Sequence, residues 1–332
     1  MGHLKARQAD PDIAIVNVSD LNRCQQAELI GKIARSGPVV IGMDVLYQKD
    51  STAINYQDTS CYFQTGAEAL RQVFADHNNK IVQAQMYDWE NNIPDDRFII
   101  FPKVEVGIIN NLITTDDETT PVREFITWHK TGEDTLVNLS YQMVRKMAPE
   151  MYKKAMSRSN KYEMLNYTGN GNSFLRLEGE EILSGDFDPG SLKDKMVFVG
   201  FTGKNNYGGR LDDIGDLYYT PMNAKFMGKS LPDMYGVTIH ANIASMVRKA
   251  QFIERISGWI FWLAIFLFTY LHVLSFVYLF LKRIMWYRVS AKLIQLFSLL
   301  LITLAVFWLL ETFSLSVNIK YLFIAIFVSV DT

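Results

Sequence analysis

Apolar runs and helical periods alternate along the first two hundred residues. A continuous apolar run at Ile13–Val18 predicts a strand that is buried on both faces, as in a parallel sheet. A second run at Val39–Met43 predicts another such strand, closed by Asp44. Between them, small or apolar residues recur at helical spacing: Cys24, Ala27, Ile30 and Ala34. Two strands joined by a helix predict a right-handed βαβ unit.

The same alternation continues to about residue 250. Predicted helices cover Ala67–His77, Thr135–Ala148 and Tyr235–Ala250, and predicted strands cover Ile81–Met86, Val104–Ile109, Tyr162–Tyr167 and Met196–Phe201. Thr114–Pro121 is polar and charged, which predicts a loop. We therefore expect one α/β domain over residues 13–255, with a mostly parallel sheet and flanking helices.

The pattern changes after residue 255 to long uncharged runs, which predict an all-α transmembrane region. Residues 256–281 and 293–310 carry no formal charge, and each run is long enough to span the hydrocarbon core as a helix. The loop at 282–292 between them carries four positive charges and no negative one, so the positive-inside rule places it in the cytoplasm. Residues 13–255 then lie on the other side of the membrane.

Both ends of the chain predict missing membrane segments. Residues 319–332 begin a third apolar run, but ten helical residues reach only about 15 Å. We expect this to be the start of a truncated third membrane helix. Residues 1–12 are a polar tail that cannot act as an anchor, so we also expect a native anchor before them.

Charge and cysteine content narrow the class of protein. The chain has 332 residues and a net charge of −2, and residues 1–256 hold 28 basic and 33 acidic side chains. This acidic balance argues against nucleic acid as a partner. The two cysteines, Cys24 and Cys61, form no C-x-x-C motif. They could pair as a disulfide, but two buried small apolar side chains are the favoured interpretation.

Ligands of open parallel sheets gather beyond the carboxyl ends of the strands. The ends of the predicted strands give seven candidate ligand-binding residues: Asn17, Ser19, Asp44, Tyr47, Gly200, Thr202 and Gly203. A later loop and the start of the last soluble helix add three more: Thr220, His240 and Asn242. Asp44 and His240 also have structural alternatives. Asp44 could cap a loop, which is the favoured role, and His240 is expected to be a buried histidine bonded to a neighbouring carbonyl.

Motifs for catalysis, cofactors and metals are weak or missing. Gly200-Phe201-Thr202-Gly203-Lys204 lacks the spacing of a phosphate-binding loop, and G-x-G-x-x-G, G-x-S-x-G and H-E-x-x-H do not occur. We predict no enzyme activity, no cofactor and no metal site.

Several pieces of the sequence together resemble the CHASE type 2 domain family. They are the opening strand with Asn17, the GMDVLY segment at 42–47, NYTG at 166–169, KMVFVG at 195–200, Thr220-Pro221 and YGVTIHAN at 235–242. The resemblance covers about residues 12–250 and implies a sensory domain outside the cytoplasm, followed by membrane helices and feeding a cytoplasmic kinase or cyclase. This chain departs from that pattern because no output domain follows and no anchor precedes. It is most similar to stand-alone versions in Bacteroidetes-type bacteria.

Three functions follow as hypotheses. The first is a membrane-anchored sensory or ligand-recognition protein of a bacterial inner membrane, with its soluble domain in the periplasm. Its expected partners are membrane lipid, an unknown small ligand or protein, and a second copy or a membrane complex. The alternatives are a structural or docking subunit of a cell-envelope assembly, and a periplasmic hydrolase using Asp44, Thr202 and His240.

Overall fold

The computed structural model describes two compact units, Met1–Phe252 and Ile253–Thr332. The described residues are 10–47, 61, 65–110, 112–113, 120–132, 134–203, 216–223, 231–282, 285–317 and 319–328. Most of the predicted loop Thr114–Pro121 lies outside them.

Strands and helices alternate along the first unit, and long helices make up most of the second unit. The strands are β1 (Ile13–Asn17), β2 (Val40–Asp44), β3 (Ile81–Asp88), β4 (Ile93–Asp95), β5 (Glu105–Ile108), β6 (Leu112–Ile113), β7 (Glu124–Ile126), β8 (Trp128–Thr131), β9 (Asp134–Val137), β10 (Tyr162–Met164), β11 (Leu175–Glu178), β12 (Met196–Gly200), β13 (Leu217–Tyr218), β14 (Met234–Tyr235), β15 (Glu254–Arg255) and β16 (Leu315–Ser316). The helices are α1 (Arg23–Arg35), α2 (Gly66–Asp76), α3 (Leu139–Met147), α4 (Pro149–Ser157), α5 (Gly179–Ser184), α6 (Gly236–Arg248), α7 (Gly258–Leu281), α8 (Tyr287–Phe313) and α9 (Ile319–Val328).

The central sheet is mostly parallel, as predicted. Its parallel strands run in the order β11-β1-β12-β2-β3-β5, and β4 pairs antiparallel with the end of β3. The late strand β12 lies between β1 and β2, so the first two strands of the chain are separated in the sheet. All parallel strands end at one edge, which we call the carboxyl edge.

Two layers of helices cover this sheet and explain the unbroken apolar runs. Ala14 and Val16 point into a core shared with α1, α2 and α5, whereas Ile13 and Ile15 point into a core shared with α3 and α6. Because successive side chains of a strand alternate between faces, both faces of β1 are buried. The first unit is thus a three-layer α/β domain, which confirms the predicted fold class.

Two predicted elements of the first unit are wrong in extent. The predicted helix Thr135–Ala148 is a strand, β9, followed by α3. Asn138 separates them, since its side chain caps α3 by accepting a hydrogen bond from the backbone of Ser140 at 2.7 Å. The predicted strand Tyr162–Tyr167 is shortened to β10, because only its first three residues pair, antiparallel, with β7.

The two cysteines form a disulfide, which corrects the favoured prediction of two separate buried thiols. Cys24 on α1 and Cys61 have Cα atoms 5.7 Å apart, within the range that a disulfide requires. Both residues are half-buried rather than enclosed in the core. A spacing of 37 residues carries no signal that decides between a bond and two free thiols.

The second unit consists mainly of long apolar helices. Among the described residues, two helices could cross a membrane by length and composition: Gly258–Leu281, with a mean hydropathy of 2.1, and Arg288–Phe313, with 2.5. Few of their side chains are buried, with 11% and 6% of the most apolar segments enclosed, unlike the core helices of a globular protein. The helix that contains the second of these spans, α8, begins at Tyr287. It therefore starts inside the predicted loop 282–292, several residues before the uncharged run.

Candidate functional site at the carboxyl edge

Strand register brings four residues of the carboxyl edge into one row. Glu178 of β11 pairs with Asn17 of β1, Asn17 pairs with Gly200 of β12, and Gly200 pairs with Asp44 of β2. Three of the four were predicted from strand ends alone. The sheet therefore places Asn17, Gly200 and Asp44 side by side, although they are far apart in sequence.

Asn17 lies within this row and is fully buried. Its side-chain amide donates hydrogen bonds to Glu178 Oε2 at 2.6 Å and to the Gly203 carbonyl at 2.7 Å. Its oxygen accepts from the backbone of Ser19 at 3.1 Å and of Thr202 at 2.9 Å. All four hydrogen-bonding positions of the amide are filled. Asn17 thus brings Ser19, Thr202 and Gly203 together, and a ligand could reach it only by displacing one of these bonds.

Asp44 differs from Asn17 because its carboxylate has no hydrogen bond or ion pair to any described residue. Burial raises the pKa of Asp44 to about 7. Gly200 leaves the space that Asp44 occupies: a Cβ atom there would lie 3.2 Å from Asp44 Cβ and 2.9 Å from Val237 of α6. The half-buried Asp44 carboxyl group is therefore the most available polar group in the row.

A second carboxyl group, which the sequence prediction missed, belongs to the same region. Asp216 accepts a hydrogen bond from the backbone of Gly236, at the first turn of α6. Burial and the nearby Asp44 carboxylate raise the pKa of Asp216 to about 7. Burial, Asp216 and Asp44 together raise the pKa of the Tyr218 hydroxyl. Asp44, Asp216 and Tyr218 therefore form one electrostatic group, which we call the acidic pair with its tyrosine.

The loop after β12 closes this region against α6. Phe201 packs edge-on against Tyr235, with ring centroids 5.6 Å apart, and Gly203 lies against the Tyr235 hydroxyl. Thr202, which lies between Phe201 and Gly203 in the sequence, is 5% exposed. Its hydroxyl oxygen is buried and has no partner among the described residues. An unpaired buried hydroxyl is uncommon and is available to a ligand.

Tyr47 and Thr220, both predicted site residues, have protein partners elsewhere. The Tyr47 hydroxyl donates to Gln26 Oε1 at 2.7 Å, and its ring packs edge-on against Phe74 in the core beside α1 and α2. Thr220 bonds to the Asp233 carboxylate through both its backbone, at 2.8 Å, and its hydroxyl, at 2.7 Å. The structure thus gives both residues structural contacts away from the row.

His240 and Asn242 lie inside α6 and are buried. The His240 ring bonds to the backbone of Ile109, and burial lowers the pKa of His240 to about 4, so the imidazole is neutral at pH 7. The Ser140 hydroxyl donates to the His240 carbonyl at 2.7 Å. This agrees with the expected buried, carbonyl-bonded histidine, and its hydrogen bonds are with Ile109 and Ser140 rather than with Asp44.

Asn242 fixes the segment that precedes β11. Its oxygen accepts from the backbone of Thr168 at 2.8 Å and of Gly169 at 3.1 Å, and its nitrogen donates to the carbonyls of Gly169 and Thr238. The amide is saturated in the same way as Asn17. It holds Thr168-Gly169 against α6 instead of facing the carboxyl edge.

Comparisons with known proteins give one match. The family model described as CHASE2 domain matches residues 8–281, which include every element from β1 to α7. No curated protein and no solved structure matches the chain significantly.

Proposed function

The chain belongs to the CHASE2 domain family, and on this premise we propose that it is a membrane-anchored sensory protein whose soluble unit recognises its signal outside the cytoplasm. CHASE2 is an extracellular sensory domain, and the family match extends over residues 8–281. That match is the observation that carries the proposal. It runs to the last residue of α7, so the first apolar helix belongs to the matched pattern.

Two further observations support a location outside the cytoplasm. Within its described residues, the second unit has two helices that could span a membrane. The first unit contains a disulfide, and such bonds persist in oxidising compartments and are rare in the cytosol. With the basic segment around Lys282 and Arg288 in the cytoplasm, α7 would carry the chain inward from the soluble unit.

The acidic pair with its tyrosine and the Thr202 hydroxyl supply the chemistry of the proposed recognition site. Two carboxyl groups whose pKa values are both about 7 share charge and protons near neutral pH. Such a site suits a ligand that offers a positive charge or several hydrogen-bond donors. The first turn of α6 lines the site, and α6 is also the last helix before the second unit. Ligand binding there would act directly on the helix that leads to the membrane segments.

The redox state of the Cys24–Cys61 pair in living cells tests the location. We expect the pair to be oxidised in cells, because the proposed compartment favours disulfides. Free thiols would be trapped with a maleimide of high mass, with and without prior reduction, and read as a gel shift. The double variant C24S/C61S is the control that cannot shift. A shift of the wild-type chain without reduction would show free thiols and contradict the proposal.

A further inference from the structure

Three aromatic rings pack together at the end of β3, at the opposite end of the sheet from β11. The ring centroids of Tyr87 and Trp89 are 4.6 Å apart, those of Tyr87 and His129 are 4.6 Å apart, and those of Trp89 and His129 are 5.2 Å apart. His129 belongs to the hairpin formed by β8 and β9. With Asn92 and Thr131, these residues form what we call the His129 cluster.

Hydrogen bonds within the His129 cluster fix which ring nitrogen carries the proton. Asn92 Oδ1 lies 3.0 Å from the Tyr87 hydroxyl, which donates to it, and 3.1 Å from His129 Nε2. An amide oxygen only accepts, so Nε2 must be the protonated nitrogen. Thr131 Oγ1 lies 3.2 Å from the same tyrosine hydroxyl. The neutral imidazole therefore connects the β8–β9 hairpin to β3 and to the turn before β4.

The other nitrogen, Nδ1, is then a bare acceptor. It is buried and has no hydrogen-bond partner among the residues that the structure describes. A second proton would create a buried N–H group without an acceptor, together with a buried positive charge. Burial and the nearby Lys161 ammonium accordingly hold the pKa of His129 below its ordinary value of 6.5.

Besides Lys161, the charged side chains that the structure describes near the cluster lie on β3, on β4, in the turn between them and on the hairpin. On β3 and β4, the Asp88 carboxylate accepts a hydrogen bond from Asn91 and the Asp95 carboxylate accepts one from Arg97. On the hairpin itself, Lys130 and Asp134 point to solvent. In the described part of the chain, none of these carboxylates bonds to the His129 ring.

The hairpin also contacts the helices behind it. Asn138 donates its backbone N–H to the Thr127 carbonyl at 3.0 Å, and its side chain caps α3. Ser140, in the first turn of α3, bonds to the His240 carbonyl of α6. The residues that flank the hairpin, Thr127 and Asn138, are therefore bonded to each other and to the start of α3, and Ser140 bonds α3 to α6.

We propose that His129 is a proton-operated latch: its neutral ring fastens the β8–β9 hairpin to the end of β3, and its protonation releases the hairpin. The device adds proton sensing to the domain and is separate from the recognition site at Asp44. Because the folded state disfavours the protonated ring, the hairpin is fully held above about pH 6.5 and loses stability as the pH falls below that value.

Two measurements on the full chain in detergent micelles test the latch. The first is an NMR titration with 13Cε1-labelled histidine, with the His129 signal assigned by its loss in H129Q. We expect the His129 pKa to lie below that of free imidazole, about 6.5. A value at or above it would overturn the proposal, even if the variant itself folded poorly.

The second measurement is hydrogen exchange of residues 124–137 at pH 7.5 and pH 5.0, corrected for intrinsic rates. We expect the opening equilibrium to rise at pH 5.0 by up to about 30-fold, the limit for an imidazole with a pKa of about 6.5 in the open state. H129Q keeps a donor toward Asn92 but does not titrate, so this rise should vanish. H77Q, which changes a histidine outside the cluster, should retain it. Equal exchange at both pH values, or an unchanged rise in H129Q, would contradict the latch.

Discussion

Asp44 and Asn17 lie in the same row of the carboxyl edge but in opposite chemical situations. Asn17 is a saturated cross-link between three strands, whereas the Asp44 carboxyl group has no partner among the described residues and a pKa raised to about 7 by burial. A group that burial penalises without compensation lowers stability, and such groups concentrate at functional sites. Asp44, rather than Asn17, therefore has a polar group that a ligand could bind without displacing a described hydrogen bond.

That argument predicts that D44N stabilises the protein at alkaline pH. The folded-state pKa of Asp44 is raised, so the folded state holds its proton more tightly, and stability falls as the pH rises from about 4 to beyond 7. Asparagine removes this penalty. We expect a gain of about 1–2 kcal/mol at pH 8, after allowance for partial solvent screening, and little gain at pH 4.

Urea unfolding of the full chain in micelles at pH 4 and pH 8 would measure the effect. D134N, which changes an exposed aspartate of β9, is the matched control and should have little effect at either pH. If D44N were no more stable than wild type at pH 8, the Asp44 carboxyl group would have a structural partner after all.

At the scale of elements, α6 is joined to the start of β1 by a buried ion network. The Asp10 side chain is 0% exposed and contacts Lys249 at 3.1 Å and Arg248 at the end of α6. The Ser245 hydroxyl donates to Asp10 at 2.6 Å. Burial alone would raise the pKa of Asp10, but these bonds and charges outweigh it and lower the pKa. The segment that enters β1 and the helix that leaves the unit are therefore held together at one end of the sheet.

Removing that carboxylate predicts a large loss of stability. D10A leaves Arg248 and Lys249 without their buried partner, so we expect a loss of about 3–5 kcal/mol in urea unfolding near pH 7. The contribution of the lowered pKa is present above about pH 4 and disappears at more acidic pH.

D12N is the matched control for D10A. Asp12 also pairs with Arg248, at 2.7 Å, but its side chain is 44% exposed, so its loss should cost less than about 1 kcal/mol. Equal effects of the two variants would show that the buried network is not a special link between β1 and α6.

Sequence patterns predict single elements of this fold better than they predict how the elements pair. The apolar runs of β1, β2 and β12 and the helical period of α6 carry strong signals, so their ends, with Asn17, Asp44 and Gly200, could be predicted. The insertion of β12 between β1 and β2 could not, because pairing order depends on tertiary packing.

Three residues of interest could not be predicted from the sequence, also for physical reasons. Asp216 and Tyr218 were overlooked because β13 and β14 have two residues each, too short to show a period. His129 was overlooked because its role depends on which nitrogen is paired, and that depends on three-dimensional contacts with Asn92 and Tyr87.

Across the whole molecule, the two units differ in the kind of surface that they expose. The first unit has the mixed surface and buried cores of a water-soluble α/β domain. The second presents large apolar side chains along α7 and α8, such as Phe266 and Leu296, which are 65% and 66% exposed. Water penalises such surfaces, whereas lipid does not. Insertion of α7 and α8 into a membrane, as proposed, would give these apolar side chains a favourable environment.

Cysteine labelling in spheroplasts of a bacterial host would show on which side of the membrane the first unit lies. K154C places a thiol on the exposed face of α4, and M285C places one between α7 and α8, where Met285 is 88% exposed. The wild-type chain, with its native pair bonded, gives the background. We predict that a membrane-impermeant maleimide labels K154C in intact spheroplasts and M285C only after permeabilisation. Labelling of M285C from outside, with K154C protected until permeabilisation, would contradict the account.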